Sequence, residues 1–328
     1  MKIQDKACLV SLNISQWTAR KFDKKATDSV ADHYKCKPEA GRYNKAVIAR
    51  EHLDEIVKIS GKMRTYHYER TLPYCVKGQA ILPSELITEY MGKYNEFKAV
   101  WDEAVEKFCA SYPELQEEAR IALNGLYNPA DYPSERQLRR KFQMGVDFAP
   151  IPEGSHLKIP IGNEELKEMQ KDIEAKVRDA ATEAQKELWN RVFETVSALQ
   201  ERMTDDGEDA KTFRDSIVGN VKELAELLPK MNITEDPDLD RMAQELSSRL
   251  DYDPKELRQS KELRKEAREA AAEVLKQAKN RATLPQAERS APSPAPAMPK
   301  PVNTAETKVE PKNETPDMEA RLAALGII

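Results

Sequence analysis

The sequence predicts an α+β fold that is predominantly helical: a small sheet with packed helices, a long helical hairpin or bundle, and a disordered C-terminal tail. Three observations carry this. Apolar residues recur every three or four positions without a Pro or Gly from 163 to 204, two short β-rich runs lie in the first half, and residues 283–316 hold eight prolines. Composition agrees, because 33% charged and 6% aromatic residues suit exposed helices better than a thick β core. The partition expected is 1–162 for the mixed domain, 163–282 for the long-helix bundle, 283–316 for the linker and 317–328 for a short amphipathic helix.

In chain order, Ala7 to Ile14 is β-rich and apolar on both faces, as in a covered strand. Residues 46–70 place Leu53, Ile56, Met63 and Tyr66 at helical spacing. Residues 74–82 read as a second strand that Pro83 and Ser84 end. Ser84 then caps a helix whose seam is Ile87, Tyr90, Tyr94, Phe97, Trp101, Ala104 and Phe108. Asn128 to Pro133 is a turn, and Ser134 with Gln137 makes a capping box. Residues 143–151 and 156–161 read as short extended segments. Strands separated by helices point to a small sheet with helices packed on it.

The long helix carries Leu166, Met169, Ile173, Val177, Ala180, Ala184, Leu188, Val192, Val196, Leu199 and Met203 on one stripe. Leu166, Val177, Leu188 and Leu199 are eleven apart, a period that runs nearly straight. Such a rod reaches roughly 60 Å. After Asp205-Asp206-Gly207 a second helix presents Ala210, Phe213, Ile217, Val221, Leu224 and Leu228, so an antiparallel hairpin is expected. A further helix from about Pro254 to Arg281 adds to it. Two readings of so long a stripe stand: a bundle within one chain, or an arm for self-association through residues 163–230.

The tail holds almost no large apolar side chains, and such a segment cannot bury enough surface to offset its ordering entropy. In polyproline form it reaches on the order of 100 Å. Composition then changes. Thr315 and Pro316 supply a cap and a first-turn proline, Met318, Leu322 and Leu325 share a face, and Gly326 offers a stop. A helix of about ten residues is marginal alone and makes sense folded into a groove. The groove belongs either to the chain itself or to a partner. In a third reading, the end from Leu325 to Ile328 is a handle gripped by an ATPase or protease.

Charge excludes some classes. Residues 1–160 hold 25 basic and 22 acidic side chains and residues 161–328 hold 27 and 35, so neither half is basic enough to imply nucleic acid by charge alone. Four dispersed cysteines fit a reducing cytoplasm, and neither an apolar signal core nor an 18-residue apolar run is present. No glycine set forms a phosphate-cradling loop, and no nucleophile and base stand at a recognisable spacing. The expectation is therefore no catalytic residue, no metal and no cofactor. His33, Cys36, His67 and Cys75 are zinc-compatible types, but their spacing across helix ends and a helix-to-strand junction is poor for one site.

The basic cluster Arg136, Arg139, Arg140 and Lys141, with Tyr132 and Phe142 beside it, is the candidate for nucleic-acid binding. On a continuous helix the three arginines share a face suited to phosphates, and the aromatics offer stacking surfaces for bases. Glu135 within the cluster, and the dipole at a helix C-terminus, supply the competing structural reading.

The run from Leu9 to Trp17 (Leu-Val-Ser-Leu-Asn-Ile-Ser-Gln-Trp), followed by Lys21 to Lys25 and Ala26 to Asp28, resembles a bacterial and phage family of unknown function. So does the run from Tyr132 to Phe142. The resemblance covers about residues 5–230. Members are often encoded beside a MoxR-type AAA+ ATPase and a von Willebrand-domain protein. It implies an accessory to an ATPase machine and transfers no site residues.

Together these readings make the chain a non-enzymatic, cytoplasmic adaptor or assembly protein of phage or bacterial origin. It would recruit a protein partner, an AAA+ ATPase by the resemblance, through Met318, Leu322 and Leu325. The alternative is a nucleic-acid-binding accessory protein using helix 134–142.

Overall fold

A computed structural model describes residues 2–160, 162–203, 215–282 and 322–327. In order, the chain forms β1 (Ala7–Ser15), β2 (Arg20–Phe22), α1 (Lys24–Tyr34), β3 (Asn44–Ala46), α2 (Asp54–Arg70), β4 (Leu72–Pro73), β5 (Ala80–Pro83), α3 (Ile87–Leu123), α4 (Glu135–Arg139) and β6 (Gln143–Ala149). The helices α5 (Asn163–Arg202), α6 (Ser216–Met231), α7 (Pro237–Arg249), α8 (Pro254–Gln259) and α9 (Lys261–Ala282) follow. One sheet has the order β4-β5-β1-β6, and β2 and β3 form a separate antiparallel ribbon. The fold is α+β and predominantly helical. Residues 283–316, read from sequence as a disordered linker, and Met318 lie outside the described residues.

The chain divides into two compact units that interleave along it. Unit 1 takes residues 1–9, 71–86 and 149–312, and unit 2 takes 10–70, 87–148 and 313–328. The boundary expected at 162/163 therefore falls inside unit 1.

In unit 1 the long stripe is buried from Val177 onwards, through Ala180, Ala184, Leu188, Val192, Val196 and Leu199. Helix α9 covers it with Ala267, Ala271, Val274 and Ala278, all fully buried, and α6 adds Val218, Val221, Leu224 and Leu228. Small residues on both α5 and α9 let the two helices approach closely, the packing that spaced alanines permit. The first turns of α5 are different. Met169 is exposed and Leu166 and Ile173 are half-buried. Gly154 sits in a 3-10 turn against α5, where a Cβ would stand 2.7 Å from the Gln170 carbonyl oxygen; only glycine allows that approach.

The α6–α7 turn is organised by buried Asn232. Its amide nitrogen donates to the Asp236 carbonyl and the Asp240 carboxylate, both at 2.9 Å, and its side-chain oxygen accepts from Asp236 N–H at 2.9 Å. Asp236 then caps α7 with Pro237 at the first position. The single helix expected over 254–281 is instead α8 and α9. Ser260 takes an extended conformation between them, and its hydroxyl accepts from Leu263 N–H at 3.1 Å to start the second.

Unit 2 packs α2 on α3 around an aromatic core of Tyr90, Phe97, Trp101, Phe108, Tyr112 and Phe142. The expected α3 seam is present, beginning after a 3-10 turn at Ser84–Leu86. The capping box at Ser134 and Gln137 also forms, with Ser134 N–H donating to Gln137 Oε1 at 3.0 Å.

Several boundaries differ from the sequence reading. Residues 46–49 are not helical, because α2 starts only after a 3-10 turn at Arg50–Leu53. Residues 74–79 form a turn with Gly78 at φ +84°, so the strand expected there begins at Ala80. Residues 156–160 form no strand. In β1 only Ala7, Leu9 and Val10 are buried, so cover on both faces does not extend along its length. Among the described residues no helix is long and apolar enough to cross a membrane.

Candidate functional site

Two features of unit 2 gather the residues that the sequence singles out. The first is the C-terminal peptide. Leu322 and Leu325 are 3% and 9% exposed, while Ala323 and Ala324 between them face solvent. Gly326 adopts φ +63°, and Ile327 N–H returns to the Leu322 carbonyl at 2.9 Å. This is the left-handed C-terminal closure of a helical turn, which glycine enters without steric cost. The two leucines that the spacing placed on one face are therefore both removed from solvent.

The second feature surrounds α4. This helix has only five residues, of which Leu138 is buried, and Arg140 and Lys141 follow its end, so the four basic residues do not form one continuous face. Arg139 is held by carboxylates: its Nη2 lies 2.8 Å from Glu106 Oε1 and 3.0 Å from Glu135 Oε1. The hydrogen bonds that Arg139 donates to Glu106 and Glu135 hold the guanidinium pKa above its usual range, and the same contact lowers that of Glu106. The expected grouping of Arg139 with Arg136 and Arg140 as a phosphate clamp is not what forms. Arg136, Arg140 and Lys141 remain exposed, and none of the three makes an ion pair among the described residues.

Lys141 instead shares a polar cleft of about 440 Å³ with Trp17, Arg20 and Lys21 from the start of the chain and with its near neighbours Tyr132 and Gln137. The backbone that delivers them turns at Ala19, a buried alanine at φ +48°, whose carbonyl accepts from Val47 N–H at 2.8 Å. A non-glycine residue in this region is uncommon and is held by surrounding structure. Here the β2–β3 ribbon, paired Arg20 to Ala46 and Lys21 to Lys45, holds it. Both aromatic residues are fixed. The Trp17 ring packs at 5.9 Å against Tyr112, and Tyr132 O–H donates to the Val47 carbonyl at 2.8 Å. Burial, with the neighbouring Tyr127, pushes the Tyr132 phenol up to about 12, so it stays protonated.

Behind the cleft lies a buried cation. Lys45 is 4% exposed; its Nζ reaches Asp23 Oδ2 and Asp131 Oδ2, both at 2.8 Å, and the Leu126 carbonyl at 2.6 Å. Burial works against its charge, but the hydrogen bonds it donates to Asp131 and Asp23 outweigh it and raise its pKa. Asp23 also caps α1 by accepting from Ala26 N–H at 3.0 Å, and its carboxyl is held below the usual range. A second buried polar contact joins His67 Nδ1 to Tyr90 Oη at 2.7 Å, where burial pushes the imidazole down to about 4.

Sequence reasoning missed Trp17, Arg20 and Lys21 as partners of the α4 region, and it missed Lys45 altogether. The signal for it is indirect: the runs 9–28 and 132–142, which carry the same resemblance, meet at this cleft. Of the zinc-compatible residues, His67 is buried against Tyr90 while Cys36 and Cys75 are exposed thiols. No three His, Cys, Asp or Glu side chains gather as a metal site among the described residues. No family model, curated protein or solved structure matches the chain.

Proposed function

We propose that this chain is a non-enzymatic helical adaptor or assembly protein that recruits a protein partner through its C-terminal peptide. The burial of Leu322 and Leu325 supports this most, because it makes the tail end a docking element and not an inert terminus. Two leucines closed by a left-handed glycine are the form in which a short amphipathic turn enters a groove. Unit 2 holds the peptide in the free chain, and a partner with a deeper groove competes for the same two side chains. Residues 283–321 connect α9 to the peptide along the sequence. The family that Leu9–Trp17 and Tyr132–Phe142 resemble supplies the partner class, an AAA+ ATPase, and with it a phage or bacterial origin and a cytoplasmic setting.

The test is affinity capture from the native host with the whole chain and with a chain ending at Pro316. The expected result is an AAA+ ATPase captured by the whole chain and lost on truncation. Identical partners from both chains would return the peptide to a purely intramolecular role.

A further inference from the structure

We infer that the cleft between Trp17, Lys21 and Lys141 binds single-stranded nucleic acid. This goes beyond the adaptor reading, and it stands or falls whether or not the terminal peptide recruits anything.

The argument begins with charge. Arg20, Lys21 and Lys141 line the cleft, are exposed, and make no ion pair among the described residues. One carboxylate, that of Asp131, also lines it, but that group is turned to Lys45 at 2.8 Å. The buried triad of Lys45, Asp23 and Asp131 carries one net negative charge against three cations on the rim. A positive excess therefore remains where solvent and ligands meet the protein. Unpaired cations around a concave surface attract phosphate, and the low-dielectric walls strengthen the field.

Aromatic residues select among phosphate ligands. Trp17 is half-buried, with one part of its indole in contact with Phe108 and Tyr112 and the remainder in the cleft. Tyr132 is tethered by its hydroxyl and packs at 5.2 Å on Tyr127. Rings held this firmly lose little freedom when a base stacks on them, which is the sequence-tolerant element of single-strand recognition. The Gln137 amide N–H groups, whose oxygen the capping box occupies, and the Thr18 hydroxyl add polar contacts for base edges or sugars.

Length distinguishes a polymer from a mononucleotide. Outside the cleft, Arg136 on α4 and Arg140 just after it, on the segment that supplies Gln137 and Lys141, are exposed and without ion pairs among the described residues. A single nucleotide brings phosphates to the cleft alone and leaves Arg136 and Arg140 unused, whereas a strand carries further phosphates beyond it. The backbone turn at buried Ala19 and the β2–β3 ribbon present Arg20 and Lys21 to a cleft already formed.

The experiment uses the whole chain, with a fluorescein-labelled oligothymidylate of about twelve nucleotides as the probe and inorganic tripolyphosphate as the competitor. Binding at about 50 mM salt should weaken steeply as salt rises, and Lys21→Ala and Lys141→Ala should each reduce the salt slope by about 1. Lys58→Ala, an exposed lysine on α2, should leave that slope unchanged. Indole fluorescence should be quenched on binding, and Trp17→Phe should remove the quench while the buried Trp101 and Trp189 stay silent. Absence of binding at about 50 mM salt, or equal slopes for Lys21→Ala and Lys58→Ala, would overturn the proposal. So would displacement by tripolyphosphate at matched phosphate concentration with no Trp17 quench, which would make the cleft a site for a small polyanion.

Discussion

Unit 1 and unit 2 bury their interiors by different chemistry. In unit 1 the α5–α9 contact is built from alanines and aliphatic side chains at helical spacing, and Trp189 is its one buried aromatic residue among those described. In unit 2 the interior is aromatic, and it encloses a lysine, two partly enclosed aspartates and a histidine. An aliphatic seam is a periodic object in which each residue repeats its neighbour's role. An aromatic core with buried charge depends on residues distant in sequence meeting at particular distances. The first tolerates loss of a single contact and resists added volume. The second is sensitive to charge and pH.

The largest effect that follows is at Lys45. Replacing it in Lys45→Met leaves Asp23 and Asp131 facing each other without a cation, and stability should fall by about 3–5 kcal/mol in denaturant unfolding. A loss under 1 kcal/mol would mean that the triad is hydrated and that unit 2 is less distinct from unit 1 than described.

Acidification gives the next effect. His67 is neutral in the fold with its pKa lowered to about 4, whereas the unfolded chain takes up the proton from about pH 6.5. Stability contributed by the neutral ring is complete above about pH 6.5 and is lost as pH falls towards about 4. At pH 5 the loss should be about 2 kcal/mol. His67→Gln should flatten this window while leaving the fall at lower pH that comes from protonating Asp23, whose carboxyl the Lys45 contact holds below the usual range. Equal pH profiles for His67→Gln and the natural chain would remove histidine from the account.

Unit 1 should respond to volume. Ala184→Leu adds bulk at a fully buried position on the α5 seam and should cost at least about 1 kcal/mol. A neutral result would show slack between α5 and its neighbours. The smallest effect belongs to Arg139→Ala. Its partners Glu106 and Glu135 are exposed, so the melting temperature should barely move although the contact geometry is good.

The same contrast governs what sequence reveals. The stripe from Val177 to Leu199 and the seam from Tyr90 to Phe108 are readable because burial repeats at helical spacing. The Ser134 and Gln137 box is readable because capping is local. By contrast, the Ser260 break and the Gly78 turn depend on single backbone positions inside otherwise continuous patterns. Strands β2 and β3, three residues each, are too short to show a period. The cleft was half legible. Lys141 and Tyr132 stood out as a local basic and aromatic cluster, but Trp17, Arg20 and Lys21 join them only after the chain turns at Ala19. Arg139 was misread for the opposite reason: helical spacing put it with Arg136, while Glu106, 33 positions earlier, draws it away.

The adaptor reading rests on the two leucines of the terminal peptide, and point substitutions test it more directly than truncation. The measurement is capture of an AAA+ ATPase from the native host by the whole chain carrying Leu322→Asp and Leu325→Asp, beside a control with Ala324→Asp on the exposed side. The account predicts that the leucine variant loses the ATPase and the alanine variant retains it. Retention of the ATPase by both variants would contradict it.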